Sequence, residues 1–209
     1  METNPLANRA RDKNKSKQQF LDAVGTILRS KGYTALKVNN IATTAGLDKK
    51  LIYKYFGSTE QLIDEYIHSQ DFWSNVTGDL VPKKITDGGK DFLKRMLLEQ
   101  FEFVSQNKAL QKVLLWSLSE ERKSLQKLID DQEANGEVLL KGISDPHFGD
   151  KASDHRAVMA ILVAGLYYLN LFTEVNGSHF CGIDLKTEEG RSKIRQATTF
   201  LVEQTYSSM

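Results

Sequence analysis

The sequence predicts an all-α fold, with a short N-terminal three-helix unit followed by a C-terminal helical bundle. Three observations carry this. Apolar residues recur at intervals of three and four through most of the chain, which places them on one face of successive helices. No segment sustains the period-two alternation of a strand. The three prolines, Pro5, Pro82 and Pro146, fall in polar stretches and leave long segments free to be helical.

Residues 1–16 are rich in Arg and Lys and read as a basic, flexible arm. A first helix is expected over about residues 17–31, where Phe20, Leu21, Val24, Ile27 and Leu28 form one stripe and Gly32 closes it as a left-handed cap. Val38, Ile41, Ala42 and Ala45 make a second, shorter stripe ending at Gly46. Asp48 can cap a third helix by accepting from its free backbone N–H groups; Ile52 and Phe56 share the inner face of that helix, and Gly57 ends it. Ser58 with Gln61 is a capping-box signature, opening a fourth helix with Leu62, Ile63, Tyr66 and Ile67 inward. After a loop over residues 78–89, helical spacing resumes at Phe92, Leu93, Met96, Leu97, Phe101 and Val104, and again from Leu110 to Leu118. A charged helix follows, with Leu125, Leu128 and Ile129 on its apolar side and Asn135-Gly136 as a break or bend. Beyond a loop around Pro146, the run from Ala157 to Phe172 is apolar nearly all round, the pattern of a helix buried on most sides. A last helix from about Thr187 repeats Ile194, Ala197, Thr198, Leu201 and Val202.

Composition narrows the function classes. In 209 residues, 40% hydrophobic and 26% charged is the make-up of an ordinary globular chain, which sets aside disorder and low-complexity arrays. The lone Cys181 removes an intrachain disulfide, and the N-terminus has no apolar segment of signal-peptide length, so a cytoplasmic location is expected. The longest unbroken apolar run, residues 157–169, is short of the roughly 20 residues that span a bilayer, so no membrane partner is expected. Metal, cofactor and catalytic readings all lack support. His68, His147, His155 and His179 are scattered without ligand spacing and read as surface histidines. Cys181 has no local base or oxyanion site, and the Gly88–Gly89–Lys90 run lacks phosphate-loop spacing.

Charge separates two regions. Residues 1–57 hold eleven Lys and Arg against four Asp and Glu, a net +7, whereas the remainder holds 17 against 23, a net −6. Such a chain suits a module that meets a polyanion, carried on a domain with another task; a solvated lysine-rich surface fits the same numbers. The second and third helices sharpen the choice. A short amphipathic helix, a tight glycine turn and a second short helix with Lys49, Lys50, Tyr53 and Lys54 outward is the pattern of a helix-turn-helix. Its N-terminal residues can reach base edges in the major groove, while its lysines neutralise phosphates. A three-helix packing unit with an exposed basic face, meeting an acidic protein partner, is the alternative.

The run KGY, then IA, AG and LIYKYF followed by a new helix start, resembles the N-terminal DNA-binding region of the tetracycline-repressor (TetR) family of bacterial transcription regulators over about residues 17–67. The resemblance implies a helix-turn-helix domain at 17–57 and a helical ligand-binding and dimerisation domain at 58–209. The protein is then expected to be a homodimeric regulator, most often a repressor, that binds a double-stranded DNA operator and answers to a small apolar or amphipathic effector. By the same resemblance, Asn39, Lys49, Lys50, Leu51, Tyr53, Lys54 and Tyr55 fall at DNA-contact positions, and Ile52 and Phe56 at core positions. The chain departs from the family where Lys37 replaces a capping Ser or Thr, Lys50 a small residue, Tyr55 a common His and Thr59 a common Lys. The operator sequence therefore does not carry over.

The last two long helices would form the dimer bundle in that family, and the small residues Ala160 and Ala164, with Ile194, Ala197 and Leu201, are the interface candidates. Phe101, Trp116, Tyr167, Tyr168 and Phe172 are candidates to line an effector cavity, since such pockets are mostly apolar with a few polar handles; residues of this kind are more often simply core.

Overall fold

The computed structural model describes residues 5–70 and 84–209, with side chains from Asp12 onward. Residues 78–83 of the expected loop, Pro82 included, and residues 1–4 of the expected arm lie outside the described residues. Helix α1 runs Pro5–Lys31, followed by a 3₁₀ turn at Tyr33–Ala35, α2 at Val38–Ala45, α3 at Lys50–Phe56 and α4 at Thr59–Ser69. Then come α5 at Lys90–Gln106, α6 at Lys108–Ser117, α7 at Lys123–Leu139, α8 at Asp145–Phe148, α9 at Ala152–Val175 and α10 at Glu188–Ser208. The all-α reading holds, with one addition: His179–Phe180 and Ile183–Asp184 pair as a minimal antiparallel hairpin, β1 and β2. Two-residue strands are too short to show alternation, so periodicity could not reveal them.

Among the described residues, two compact units are present. The first takes 5–70 together with Lys112–Leu128; the second takes 84–111 and Ile129–Met209.

In the first unit, α1 begins well ahead of residue 17. Pro5 is tolerated in a first turn and the following Arg, Lys and Gln are good helix formers, so no apolar stripe is needed to extend it. Phe20, Val24, Ile27 and Leu28 of α1 are buried with Ile41, Ile52, Leu62 and Ile67. Gly25 faces Tyr66 across the α1–α4 packing, where a Cβ would stand 2.8 Å from the tyrosine oxygen. That hydroxyl is buried without a hydrogen-bond partner, and burial pushes its pKa up. The α6–α7 turn joins this unit through side chains far apart in sequence. Trp116 stacks flat on Tyr33 at 5.1 Å and 6°, while Arg122 lies over the Trp116 ring at 5.4 Å and forks onto Asp64 and Glu60 of α4.

In the second unit, α5, α9 and α10 share a core of Phe92, Met96, Leu97, Phe101, Met159, Leu162, Leu166 and Val202. Asp87 accepts from the N–H groups of Asp91 and Gly89, capping α5 and holding its own carboxyl below the usual range. Asn170 donates to the Phe101 carbonyl, and Arg191 reaches Glu102 and Asn170, so a polar seam crosses this core fully bonded.

Four expectations are corrected here. Asn135-Gly136 does not break α7, because an interior glycine costs only about 1 kcal/mol against alanine and the flanking helix outweighs it. The segment around Pro146 is a π-helical turn at Leu140–Ser144 leading into α8, with Pro146 in the first turn where its missing N–H is harmless. Ile129 is exposed while Leu125 and Leu128 are buried, so the apolar side of α7 is narrower than the stripe suggested. Helix α9 is not buried on most sides: Ala157, Ala160, Ile161, Ala164, Gly165 and Tyr168 are exposed along it. The helical stretch Lys123–Val175 holds a window long and apolar enough to cross a membrane by length and composition, with 28% of it buried; counting only the unbroken apolar run hid this.

His155 is the fifth correction, since it is wholly buried and not a surface histidine. Its ring stacks on Phe148 at 4.1 Å, Tyr206 meets it edge-on at 5.6 Å, and neither nitrogen has a partner. Burial lowers its pKa, opposed by nearby Asp145 and reinforced by His147 and Arg156. The native state therefore holds it neutral, and the unfolded chain takes up the proton first as pH falls through about 6.5. Stability of this unit should drop between pH 7.5 and 5.5, and His155→Phe should flatten that part of the melting-temperature profile. A variant as acid-sensitive as the wild type would remove His155 as the cause.

Candidate nucleic-acid interface

Local chemistry builds the turn between α2 and α3. Gly46 takes φ +66°, its N–H reaches the Thr43 carbonyl at 3.2 Å, and the Leu47 N–H reaches Ala42 at 3.1 Å, the paired bonds of a Schellman stop. Two residues on, the Asp48 carboxylate accepts from the Lys50 N–H at 2.8 Å and starts α3. Ile52 and Phe56 anchor α3 inward, with Phe20 meeting Phe56 edge-on at 6.1 Å. Gly57, at φ +85°, donates to the Tyr53 carbonyl and ends it, and Ser58 accepts from the Gln61 N–H at 3.0 Å to start α4.

This anchoring fixes which side chains face out. Lys49, Lys50, Tyr53 and Lys54 are exposed, Asn39 of α2 is exposed beside them, and Leu51 and Tyr55 are half-buried. Lys49 donates to Asn39 Oδ1 at 3.3 Å, and the two rim a shallow concavity of about 470 Å³ with Ala42, Thr43, Gly46 and Leu47. Among the described residues, Lys49, Lys50 and Lys54 have no carboxylate partner, so all three charges face outward uncompensated. The face can therefore donate hydrogen bonds and neutralise an anion over one short helix. Lys37 gives α2 no side-chain cap, as its replacement of Ser or Thr leads one to expect.

Two cations of α1 behave differently, and sequence spacing could not tell them apart. Lys13 stands 5.9 Å from the Tyr55 ring, with Lys54 at the same distance, and so adds a charge beside the recognition surface. Lys17, one turn on, is spent on Glu65 at 3.0 Å and on the face of Phe56 at 4.7 Å.

The effector candidates do not form one group. Trp116 belongs to the first unit, its indole N–H donating to Glu120 at 3.0 Å. Phe101 is buried under Arg191 at 4.1 Å, and Tyr167 accepts from Gln100 at 2.6 Å. Tyr168 and Phe172 lie 6.0 Å apart and pack with Phe180 of the hairpin. Of the interface candidates, Ala160, Ala164, Ala197 and Leu201 are exposed and Ile194 is half-buried against the core of the second unit.

The family described as bacterial regulatory proteins, tetR family, matches residues 20–66, the span that holds α2, α3 and their supports. An HTH-type transcriptional regulator of Bacillus subtilis (strain 168), YfiR, is 23% identical over 175 residues, 76% of this chain and 77% of that protein. A TetR-like transcriptional regulator from Rhodococcus sp. RHA1 shares the fold with a TM-score of 0.64 at 15% identity, covering 93% of this chain and 97% of its own. The transcriptional regulator FadR from Bacillus subtilis, in complex with stearoyl-CoA, does so with a TM-score of 0.61 at 17% identity over 92% and 98%. With a helix-turn-helix presenting uncompensated lysines at residues 20–66, this span of the chain matches the domain of bacterial regulatory proteins of the tetR family.

Proposed function

We propose that the protein is a ligand-responsive repressor that binds its operator in the cytoplasm as a homodimer, with residues 17–57 reading DNA and residues 58–209 carrying the dimer and effector sites. The observation that carries this is the outward row of Lys49, Lys50, Tyr53 and Lys54 on a helix fixed by buried Ile52 and Phe56. Gel retardation with DNA from the promoter beside its own gene tests it. Retention should survive an excess of unrelated duplex, and equal competition by both would overturn sequence-specific binding.

Dimerisation is supported by the bare apolar surface of α9 and α10, where Ile161 and Phe200 are 73% and 57% exposed in a single chain. Ala164→Glu or Leu201→Glu, which put a charge on that surface, should give folded monomer by light scattering. A dimer that survives both changes places the interface elsewhere. For the effector, an amphipathic molecule is expected, and a long-chain acyl-CoA is the first probe because one structure of the same fold holds stearoyl-CoA. It must favour the DNA-incompetent conformation to act, and should weaken operator binding by about 1–3 kcal/mol. A ligand panel that moves neither melting temperature nor operator affinity would remove the effector from the proposal.

A further inference from the structure

Asparagine in a major groove ordinarily offers one acceptor and one donor, which match the N6–H and N7 of adenine. Asn39 is not in that ordinary state. Its Oδ1 already accepts from the Lys49 ammonium at 3.3 Å, which leaves its Nδ2 hydrogens and the remaining Lys49 hydrogens facing outward. Both side chains are exposed, and both stand on the rim of the concavity between α2 and α3, with the Ala42, Gly46 and Leu47 positions behind them. The pair thus presents up to four donor hydrogens against the one lone pair left on Oδ1. Of the four base edges in the major groove, guanine, with O6 and N7, offers two adjacent acceptors, whereas adenine would turn its amino hydrogens toward a cation.

We propose that Asn39 and Lys49 act as one donor-rich reading unit that selects guanine in each operator half-site. Lys49 is the specificity-determining residue, because it converts Asn39 from an adenine reader into a guanine reader. The inference rests on the DNA-binding reading above and names what that surface recognises. It also separates Lys49 from Lys50 and Lys54, which have no such partner and are left to the phosphates.

Selection of bound duplexes from a random pool tests this, with the full-length protein run beside Lys49→Met and Asn39→Ala. Both positions are exposed, so unchanged melting temperatures are expected for the variants. The wild type should enrich one guanine per half-site, and replacing it by adenine in the selected duplex should weaken binding about tenfold. Lys49→Met should shift enrichment at that same position from guanine to adenine, and Asn39→Ala should flatten it. If Lys49→Met keeps the guanine and lowers affinity equally for all duplexes, Lys49 is a phosphate contact and the proposal falls. Enrichment without guanine at any position governed by these residues also overturns it. If the wild type enriches no sequence at all, the operator-binding reading itself fails, and this one with it.

Discussion

Phe20→Ala should abolish operator binding by unfolding the first unit, although residue 20 lies nowhere near the exposed lysines. Phe20 is completely buried and packs edge-on against Phe56, the residue that holds the last turn of α3 inward. Truncating a core phenylalanine costs about 3–5 kcal/mol, since the transfer energy of the ring is lost and a cavity is left behind. Domains of this kind have about 5–15 kcal/mol in total, so the change removes a large share of it. Circular dichroism melting should show an early transition absent from the wild type, and gel retardation should show no complex at the temperature where that transition is complete. A variant that melts within about 1 kcal/mol of the wild type would mean that the Phe20 site collapses around the gap and that α3 does not depend on it.

Operator affinity should fall about a hundredfold between 50 and 200 mM salt. Lys50 and Lys54 stand uncompensated on each recognition helix, four such lysines in the proposed dimer, and displacing the counterions of four phosphates gives a slope of about −3.6 in log affinity against log salt. Lys54→Ala should flatten that slope by about one unit for each helix engaged, with the melting temperature unchanged. An unaltered slope would take Lys54 out of the interface. A wild-type slope shallower than −2 would mean that most of these charges never meet the duplex.

These two expectations differ in how readily the sequence discloses them. The lysine row, the Gly46 stop, the Asp48 start and the Ser58–Gln61 cap are legible because each depends on neighbours within five residues. Buried Ile52 and Phe56 are legible for the same reason, as helical spacing alone puts them opposite the lysines. What escapes is nonlocal. Nothing in the chain near Trp116 announces that Tyr33 and Arg122 will both pack on its ring and draw the α6–α7 turn into the first unit. His155 looks like a polar residue at the edge of an apolar run, and only the positions of Phe148 and Tyr206 make it part of a core. The distinction between Lys13 and Lys17 depends on Glu65 and Tyr55, roughly forty to fifty residues away. The bare stripe of α9 is not legible, because apolar composition records that a surface avoids water, not which molecule covers it.

The α1–α4 packing has a consequence for how this chain could vary. Gly25 leaves a notch filled by the Tyr66 hydroxyl, and any side chain at 25 would collide with it. The two positions are therefore coupled like the halves of a joint: an alanine or leucine at 25 calls for a shorter residue at 66, and a tyrosine at 66 forbids anything but glycine at 25. Among descendants of this sequence, a side chain at 25 should appear only where residue 66 has been shortened, whereas residue 66 can shorten with Gly25 in place. A library randomised at both positions and sorted for folded protein would show that dependence directly, as an empty corner where a side chain at 25 meets a tyrosine at 66.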